Sequence, residues 1–283
     1  MEVFTAASDG RIEFLRNFIS TLRHYNKDCS INVIPFFDEC EEVRRYVGSV
    51  SGARVCDVDP AFDEVGKNLF GLEEYRPGVH SWRYFRKLNC FSHAHDKFVF
   101  FDCNILAFSD PVMDILEELP FDKSGSGQFF FYTRSAPHRT INREFDDWWK
   151  LINPTIEMGY NAGLFASRRS ALDSGFCKMI SGNRNWRKLL GRAPEQSFLM
   201  LYAALAGIEC RRIPASLDDV AFGYSNKRGY VLDKGDGANC LRLSEGGGRV
   251  LAVKFSGSDG PVEQRRFFER VGAGELLARI QGH

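Results

Sequence analysis

The feature that most constrains the fold is the run KFVFFD, residues 97–102, in which four apolar residues follow one another and end at an acidic one. A continuous apolar run is typical of a strand in a parallel sheet, because helices cover both faces of such a strand. Asp102, Cys103 and Asn104 interrupt the run, and apolar residues resume immediately. The sequence therefore predicts polar groups held at the carboxyl end of a buried strand.

The segments before this run alternate between strand-like and helix-like patterns, which predicts βαβ units and a mostly parallel sheet. In such α/β sheets ligands bind at the carboxyl ends of the strands, so the polar break marks the expected site. The strand-like segments are EVFTAA (2–7), INVIPFF (31–37) and ARVCDV (53–58), and the helix-like ones are 12–25, a charged segment from about Glu39, and 80–95.

The second half of the chain has a less regular pattern without an internal repeat, and only KSGSG (123–127) is typical of a linker. We therefore predict one compact domain with a C-terminal subregion. The predicted strands are QFFFYTR (128–134), the end of GYNAGLFAS (159–167), GYVLD (229–233), CLRL (240–243) and RVLAVKF (249–255), and the predicted helices are 143–152, 194–207 and about 262–280.

Composition excludes several classes of protein. The 37 Lys and Arg residues balance 37 Asp and Glu residues, which argues against a nucleic-acid partner. The eight cysteines form no CxxC pair, a pattern typical of reduced, buried thiols without disulfides or zinc. The N-terminus lacks a basic and apolar leader, and no run of eighteen apolar residues occurs, so we expect a cytoplasmic protein that spans no membrane.

Asp102 and Asn104 are two residues apart at a strand end, where the alternation of a strand would direct both side chains to one side. Carboxylate and amide oxygens in that arrangement suit Mg²⁺ or Mn²⁺, which bind one or two protein ligands together with phosphate oxygens. The alternative is a simple turn, because Asp and Asn both hydrogen-bond to their own backbone. The residues alone leave both interpretations open.

Several motifs, in matching order and separation from about residue 2 to 265, resemble GT-A glycosyltransferases. They are most similar to retaining family 8, which contains glycogenin and bacterial galactosyltransferases. The motifs are TAASD (5–9) at the nucleotide-base end, RKLNCFSHAHDKFVFFDCN (86–104) for the Lys-Leu helix and DxD strand, YNAGLF (160–165) for Phe-Asn-Ala-Gly, Glu195-Gln196 for Asp-Gln, and VKFSGSDGP (253–261) for His-Phe-x-Gly-x-x-Lys-Pro.

The resemblance implies an α/β fold of GT-A type in one domain, 1–283, with a nucleotide-binding half (1–110) and a sugar and acceptor half (111–283). It implies a hexosyltransferase that moves a sugar from a nucleotide-diphosphate sugar, with UDP-sugars favoured, to a glycan or small-molecule acceptor with retention of configuration. The alternative is a non-catalytic protein that binds sugar nucleotides or glycans and has a degenerate metal site. A nucleotidyltransferase is disfavoured, because no glycine-rich phosphate loop follows the first strand.

The resemblance also assigns roles to individual residues. Each role has a structural alternative: Lys87 as a solvated helix residue, Asn161 as a turn former, and Glu195 as an acid that stabilises a helix start. The implied assignments are Thr5, Ala6 and Ser8 at the base and ribose; Lys87 at the nucleotide or diphosphate; Asp102 and Asn104 at the metal and ribose; Asn161, Ala162 and Gly163 at the sugar; Glu195 and Gln196 at the anomeric carbon; and Lys254 and Gly257 at the donor.

Three residues depart from the family pattern. Asn104 replaces the second Asp of DxD, Lys254 replaces the metal-binding His, and Gly260 replaces the phosphate-binding Lys. The first two changes remove or oppose a cation ligand, so a requirement for Mn²⁺ or Mg²⁺ stays open. We predict that Lys254 supplies part of the positive charge that a metal supplies in the relatives, with a lysine that reaches solvent from the strand end as the alternative.

Overall fold

The computed structural model describes residues 2–26, 28–107, 119, 128–131, 142–152, 161–212, 223–224, 230–233, 240–243, 249–250, 252–255, 260–271 and 278. The α-helices are α1 (Ile12–Tyr25), α2 (Glu41–Ser49), α3 (Pro60–Phe70), α4 (Asn89–His93), α5 (Asp146–Ile152), α6 (Ser174–Ser181), α7 (Pro194–Ala206) and α8 (Gly260–Arg270). The strands are β1 (Glu2–Ala7), β2 (Ser30–Pro35), β3 (Ala53–Val55), β4 (Glu74–Arg76), β5 (Val79–His80), β6 (Lys97–Asp102), β7 (Ile105–Ala107), β8 (Gln128–Phe131), β9 (Leu164–Arg168), β10 (Glu209–Arg212), β11 (Gly223–Tyr224), β12 (Tyr230–Asp233), β13 (Cys240–Leu243), β14 (Arg249–Val250) and β15 (Ala252–Lys254).

The central sheet has seven strands in the order β10-β8-β9-β6-β1-β2-β3. β1 runs parallel to β2 and β6, whereas β9 runs antiparallel to its neighbours β6 and β8. The predicted α/β class with a mostly parallel sheet is therefore confirmed. The carboxyl ends of β1 and β6 lie side by side, since Ala6 is in register with Asp102.

The run KFVFFD is β6, and helices cover both of its faces as predicted. Val99 and Phe101 belong to the hydrophobic cluster that contains α1, where the rings of Phe101 and Phe18 are 5.8 Å apart. Phe98 and Phe100 belong to the cluster on the opposite face, which contains residues of α3 and α7. All four side chains of the run are fully buried, so β6 is fixed in register and its polar end is fixed with it.

The predicted helix over 80–95 is instead two elements, a 3₁₀ helix at Ser81–Leu88 followed by α4. Trp82, Phe85 and Leu88 are spaced three residues apart and are all buried. A 3₁₀ helix has three residues per turn, so this spacing puts the three side chains on one face. The segment packs along α3, a helix that is not among those predicted from the sequence.

β15 brings the C-terminal part of the chain back to the end of β6. It pairs antiparallel with β7, with Lys254 opposite Ile105. The closing helix predicted at about 262–280 corresponds to α8 over Gly260–Arg270, and the predicted linker 123–127 lies outside the described residues. No helix in the described part of the chain is long and apolar enough to cross a membrane.

Candidate active site

A cleft opens at the carboxyl ends of β1 and β6, where the sequence predicted a ligand site. Three of its residues come from the end of β1 and three from the end of β6, and cationic and aromatic side chains complete its wall. The lining residues are Ala6, Ala7, Ser8, Arg11, Phe36, Arg76, Tyr84, Lys87, Asp102, Cys103 and Asn104. Positive charge and aromatic rings beside one carboxylate suit an anionic ligand that carries a planar ring.

Asp102 is the centre of an ion network at one end of this cleft. Lys87 Nζ donates to Asp102 Oδ1 at 2.7 Å, and Lys254 Nζ donates to Asp102 Oδ2 at 2.8 Å. Lys87 also donates to Glu195 Oε1 at 3.0 Å. Lys87 is therefore not a solvated helix residue, and Lys254 does not reach out to solvent from its strand.

Burial opposes the charges in this network, but ion pairing outweighs it. Desolvation would raise the pKa of Asp102, yet the ammonium groups of Lys254 and Lys87 hold that pKa well below its usual range. Desolvation would likewise lower the pKa of Lys87, yet Asp102 and Glu195 raise it well above its usual range. Both shifts favour the ionised forms of Asp102 and Lys87.

Gly163 lies against this network. Its carbonyl accepts from the Asp102 backbone N–H at 2.7 Å, and its own N–H donates to Asn161 Oδ1 at 2.9 Å. A Cβ at this position would lie 2.8 Å from Asp102 Oδ2 and would collide with Lys254 Nζ. The glycine is therefore required by the close approach of the 161–163 segment to the two charged side chains.

The start of α7 supplies the remaining predicted residues. Pro194 and Glu195 lie in the first turn, and both Glu195 and Gln196 are 6% exposed. The position of Glu195 agrees with the predicted alternative of an acid that stabilises the helix start, so its role stays a prediction. Gln196 Oε1 accepts from the buried Ala162 N–H at 3.0 Å. Glu195 and Gln196 thus join α7 to the lysine network and to the segment that ends at Gly163.

Asn104 lines the same cleft as Asp102, and its side-chain amide also makes a bond within the protein. Its Nδ2 donates to the Phe255 carbonyl at 2.5 Å, and the Phe255 N–H donates to the Asn104 carbonyl at 2.9 Å. The chain turns after Asp102, so the strand alternation that would have aligned the two side chains ends there. Asn104 fastens the end of β15 to this turn, and its Oδ1 is buried without a hydrogen-bond partner in the described structure.

These residues do not fit the divalent cation that the resemblance implies. Each oxygen of Asp102 already accepts from an ammonium group. The Nδ2 group of Asn104 donates to the Phe255 carbonyl, so Asn104 has only its Oδ1 left to offer an ion. In the described residues no three His, Cys, Asp or Glu side chains lie close enough to hold a metal ion. A cation at Asp102 would also lie beside two positive charges, which oppose its binding.

The other residues predicted to bind the sugar donor do not all line the cleft. Ala6 and Ser8 line the cleft, whereas Thr5 lies inside β1, fully buried, with no described partner for its hydroxyl. Gly257 lies outside the described residues. The roles predicted at the base, ribose and sugar stay predictions.

The sequence reading missed four residues of the cleft wall: Arg11, Phe36, Arg76 and Tyr84. Arg11 and Phe36 stand just beyond β1 and β2, so the rule that ligands bind at strand ends could have identified them. Arg76 and Tyr84 lie on the β4–β5 hairpin and the 3₁₀ helix, and no motif marks them. Burial raises the pKa of Tyr84 to about 12, so its hydroxyl is neutral and can donate a hydrogen bond.

Comparison with known proteins identifies the fold. No protein-family model matches the sequence, and no curated protein matches it. A solved structure of the galactosyltransferase LgtC, in complex with donor and acceptor sugar analogues, is 13% identical with a TM-score of 0.60 over 96% of each chain. The apo structure of the bifunctional glycosyltransferase WbbM is 11% identical with a TM-score of 0.55, over 99% of this chain and 51% of that chain.

The fold is therefore the GT-A fold of glycosyltransferases, as the sequence motifs predicted. LgtC shares it over nearly the whole of both chains. At these identities the likeness defines the fold and leaves the activity to be argued from the site.

Proposed function

We propose that the protein is a glycosyltransferase that moves a sugar from a nucleotide-diphosphate sugar to a glycan or small-molecule acceptor. The observation that carries this proposal is the convergence of Lys87, Asp102, Gly163, Glu195 and Lys254 beside the cleft. These residues come from separate elements. Four of them are charged, with Lys87 and Glu195 buried and Asp102 and Lys254 partly buried, which costs energy. A binding or catalytic role explains such a cluster in a GT-A fold.

Sugar transfer passes through an oxocarbenium-like state while a diphosphate leaves. The leaving group needs positive charge, which Lys87, Lys254, Arg11 and Arg76 provide around the cleft. The sugar needs an electron-rich group near its anomeric carbon, and we assign Glu195 and Gln196 to that side. Under this assignment Glu195 is held in place by Lys87 and Gln196 by the Ala162 N–H.

We further propose that the donor is a UDP-sugar, that the acceptor bond forms with retention, and that the transferred group is a hexose. The described cleft wall comes entirely from residues 6–104, in keeping with a nucleotide-binding half at 1–110. Asn161, Glu195 and Lys254 come from the half at 111–283, to which we assign the sugar and acceptor. Seven free, buried cysteines are in keeping with a reducing cytoplasm.

The test is nucleotide release from a panel of UDP- and GDP-sugars, with and without candidate acceptor sugars. Release from one donor, with the product anomer identified by NMR, supports the transferase and decides retention. Tight binding without release would identify a sugar-nucleotide-binding protein. Absence of binding to every sugar nucleotide would reject the proposal.

A further inference from the structure

We infer that this protein binds its diphosphate without a divalent cation, because Lys254 Nζ occupies the cation's place at Asp102 and Asn104 positions that lysine. The inference rests on the proposed function for the identity of the ligand. Three features of the site support it: the hydrogen-bond donors that Lys254 has left, the contacts that hold Lys254 in place, and the balance of charges around Asp102.

Of the two lysines at Asp102, Lys254 has more hydrogen-bond donors left for phosphate. Lys87 Nζ already donates to two carboxylates, and the ring centroids of Tyr84 and Phe100 lie 5.6 Å and 5.7 Å from it. In the described residues Lys254 Nζ donates only to Asp102, at 2.8 Å, and an ammonium group carries three N–H bonds. Among the described contacts Lys254 therefore retains two donors and Lys87 one, and the side chain of Lys254 is 14% exposed.

Asn104 is a positioning residue for this lysine. Its side chain and its backbone carbonyl bond to the two polar groups of Phe255, the residue next to Lys254. On the other side of the lysine, β15 pairs with β7. Lys254 is thus held between a strand pairing and an amide clamp, and the absent side chain of Gly163 leaves the space for its ammonium.

The charges favour a diphosphate over a cation. Lys87 and Lys254 carry two positive charges, and Asp102 and Glu195 carry two negative ones, so this network is neutral before a ligand binds. A divalent cation would have to displace an ammonium group from Asp102. A diphosphate would instead find the two remaining donors of Lys254, with Arg11 and Arg76 on the cleft wall.

The primary experiment uses the unmodified protein. UDP affinity is measured by calorimetry in EDTA and in excess Mn²⁺, and Mn²⁺ binding to the protein alone is measured by electron paramagnetic resonance. We expect the same UDP affinity within about twofold in both buffers and no stoichiometric Mn²⁺ site. A loss of about tenfold or more in EDTA, or one tightly bound Mn²⁺ per chain, would overturn the inference.

Variants test the two named residues. Lys254→Met should weaken UDP binding about tenfold or more in EDTA, whereas Lys150→Met, at an exposed lysine on α5, should leave it unchanged. The double variant Asn104→Asp with Lys254→His recreates the DxD and His pattern and should bind Mn²⁺. Asn104→Leu tests whether Asn104 positions Lys254. We expect this variant to weaken UDP binding in EDTA. The rate of a single turnover, measured by acid quenching, should fall no further than it does in Lys254→Met.

The outcomes separate this inference from the proposed function. If Lys254→Met binds UDP in EDTA as tightly as the native protein does, Lys254 does not bind the diphosphate. If the double variant has no Mn²⁺ site, Lys254 does not occupy the place of a cation at Asp102. If UDP does not bind at all, the uridine donor is wrong. Two measurements then still decide whether the site takes an anion or a cation. They are the same calorimetry with inorganic pyrophosphate and the Mn²⁺ measurement without nucleotide.

Discussion

Lys254 and Asp102 are 152 residues apart in the chain, yet Lys254 Nζ lies 2.8 Å from Asp102 Oδ2. A second ammonium, that of Lys87, lies 2.7 Å from the other oxygen of the same carboxylate. Asp102 therefore links the two lysines on which the proposed diphosphate site depends.

The ion pairs of Asp102 should give the protein a defined pH response. The folded-state pKa of Asp102 is depressed, so its contribution to stability is present above about pH 4 and is lost as the pH falls below that value. Lys87 has a raised pKa, so its contribution is present below about pH 10 and is lost only above it. We expect the difference in free energy of unfolding between native protein and Asp102→Asn to be about 3 kcal/mol and constant from about pH 5 to 9.

Urea unfolding of both proteins at several pH values measures this difference. It should shrink below about pH 4, because the carboxylate is protonated in the unfolded chain first. A difference that grows on acidification would mean that Asp102 is not held by the two lysines.

The close approach at Gly163 should make this position intolerant of a methyl group. A Cβ would meet Asp102 Oδ2 at 2.8 Å and displace Lys254, so we expect Gly163→Ala to lower kcat/KM by roughly 10- to 100-fold. The matched control is Gly48→Ala in α2, where a Cβ has no neighbour within 4 Å. That control should keep native kinetics and gain about 0.5–1 kcal/mol of stability. Equal kinetics in both variants would show that the 161–163 segment is remote from the donor.

Gln196 should be required both for stability and for turnover. Its Oε1 is the described partner of the buried Ala162 N–H, so Gln196→Ala should cost about 1–3 kcal/mol. Because the same bond orders the segment assigned to the sugar, we expect a lower kcat with little change in donor affinity. Thermal unfolding and steady-state kinetics separate the two effects. A less stable variant with normal kcat would make Gln196 a purely structural residue.

Glu195 offers a test with less structural disturbance. Glu195→Gln keeps the size of the side chain but removes the negative charge that Lys87 Nζ contacts at 3.0 Å. If the carboxylate acts on the sugar face, kcat should fall while UDP affinity is unchanged or rises, because the network around Lys87 then has a net positive charge. Weaker UDP binding with unchanged kcat would exclude the assigned role.

A buried polar pair joins α1 to α8 away from the site. Asn17 Nδ2 donates to Gln264 Oε1 at 2.7 Å, and both residues are buried. Asn17→Leu alone should cost about 1–3 kcal/mol, since it removes the described donor to the buried Gln264 Oε1. Replacing both residues by leucine should restore much of the loss. Denaturant unfolding of the two single variants and the double variant gives the coupling energy, and additive losses would contradict this account.

The cysteines should be unreactive in the folded protein. Seven are free and buried, and burial raises the pKa of Cys56 to about 11 and that of Cys103 and Cys210 to about 12. At about pH 8 the thiols of Cys56, Cys103 and Cys210 carry almost no thiolate, which is the form that reacts with Ellman's reagent, and burial limits access of the reagent to all seven. We expect at most one fast thiol, at Cys240, in native protein and eight after denaturation. Two or more fast thiols in native protein would contradict the described packing.

The spacing of apolar residues along the chain predicted the strands and helices whose faces are buried. The four apolar residues of β6 identified a strand covered on both faces, and the amphipathic spacing of residues 12–25 identified α1. α3 is not among the predicted helices, although Asp59 caps it, accepting from the Ala61 N–H, and Pro60 opens it. The 3₁₀ segment is predicted as part of an α-helix, because a three-residue spacing is close to the helical period of 3.6.

The candidate site was predictable only where a motif carried the information. Lys254 was singled out because it replaces a histidine of the family pattern, and its proximity to Asp102 followed from that comparison. The role of Asn104 could not be inferred, because its partner Phe255 is 151 residues away and reaches it only through the pairing of β15 with β7. Arg76 and Tyr84 likewise reach the cleft through tertiary packing, which local sequence does not specify.

The antiparallel docking of β15 on β7 has a consequence for synthesis of the protein. The strands β1, β2 and β6 and the carboxylate of Asp102 are all encoded before residue 103, whereas Lys254 leaves the ribosome about 150 residues later. A nascent chain can therefore build the centre of the sheet long before it can assemble the proposed anion site. Under the proposed function, capture of a diphosphate is confined to chains whose translation has passed residue 254.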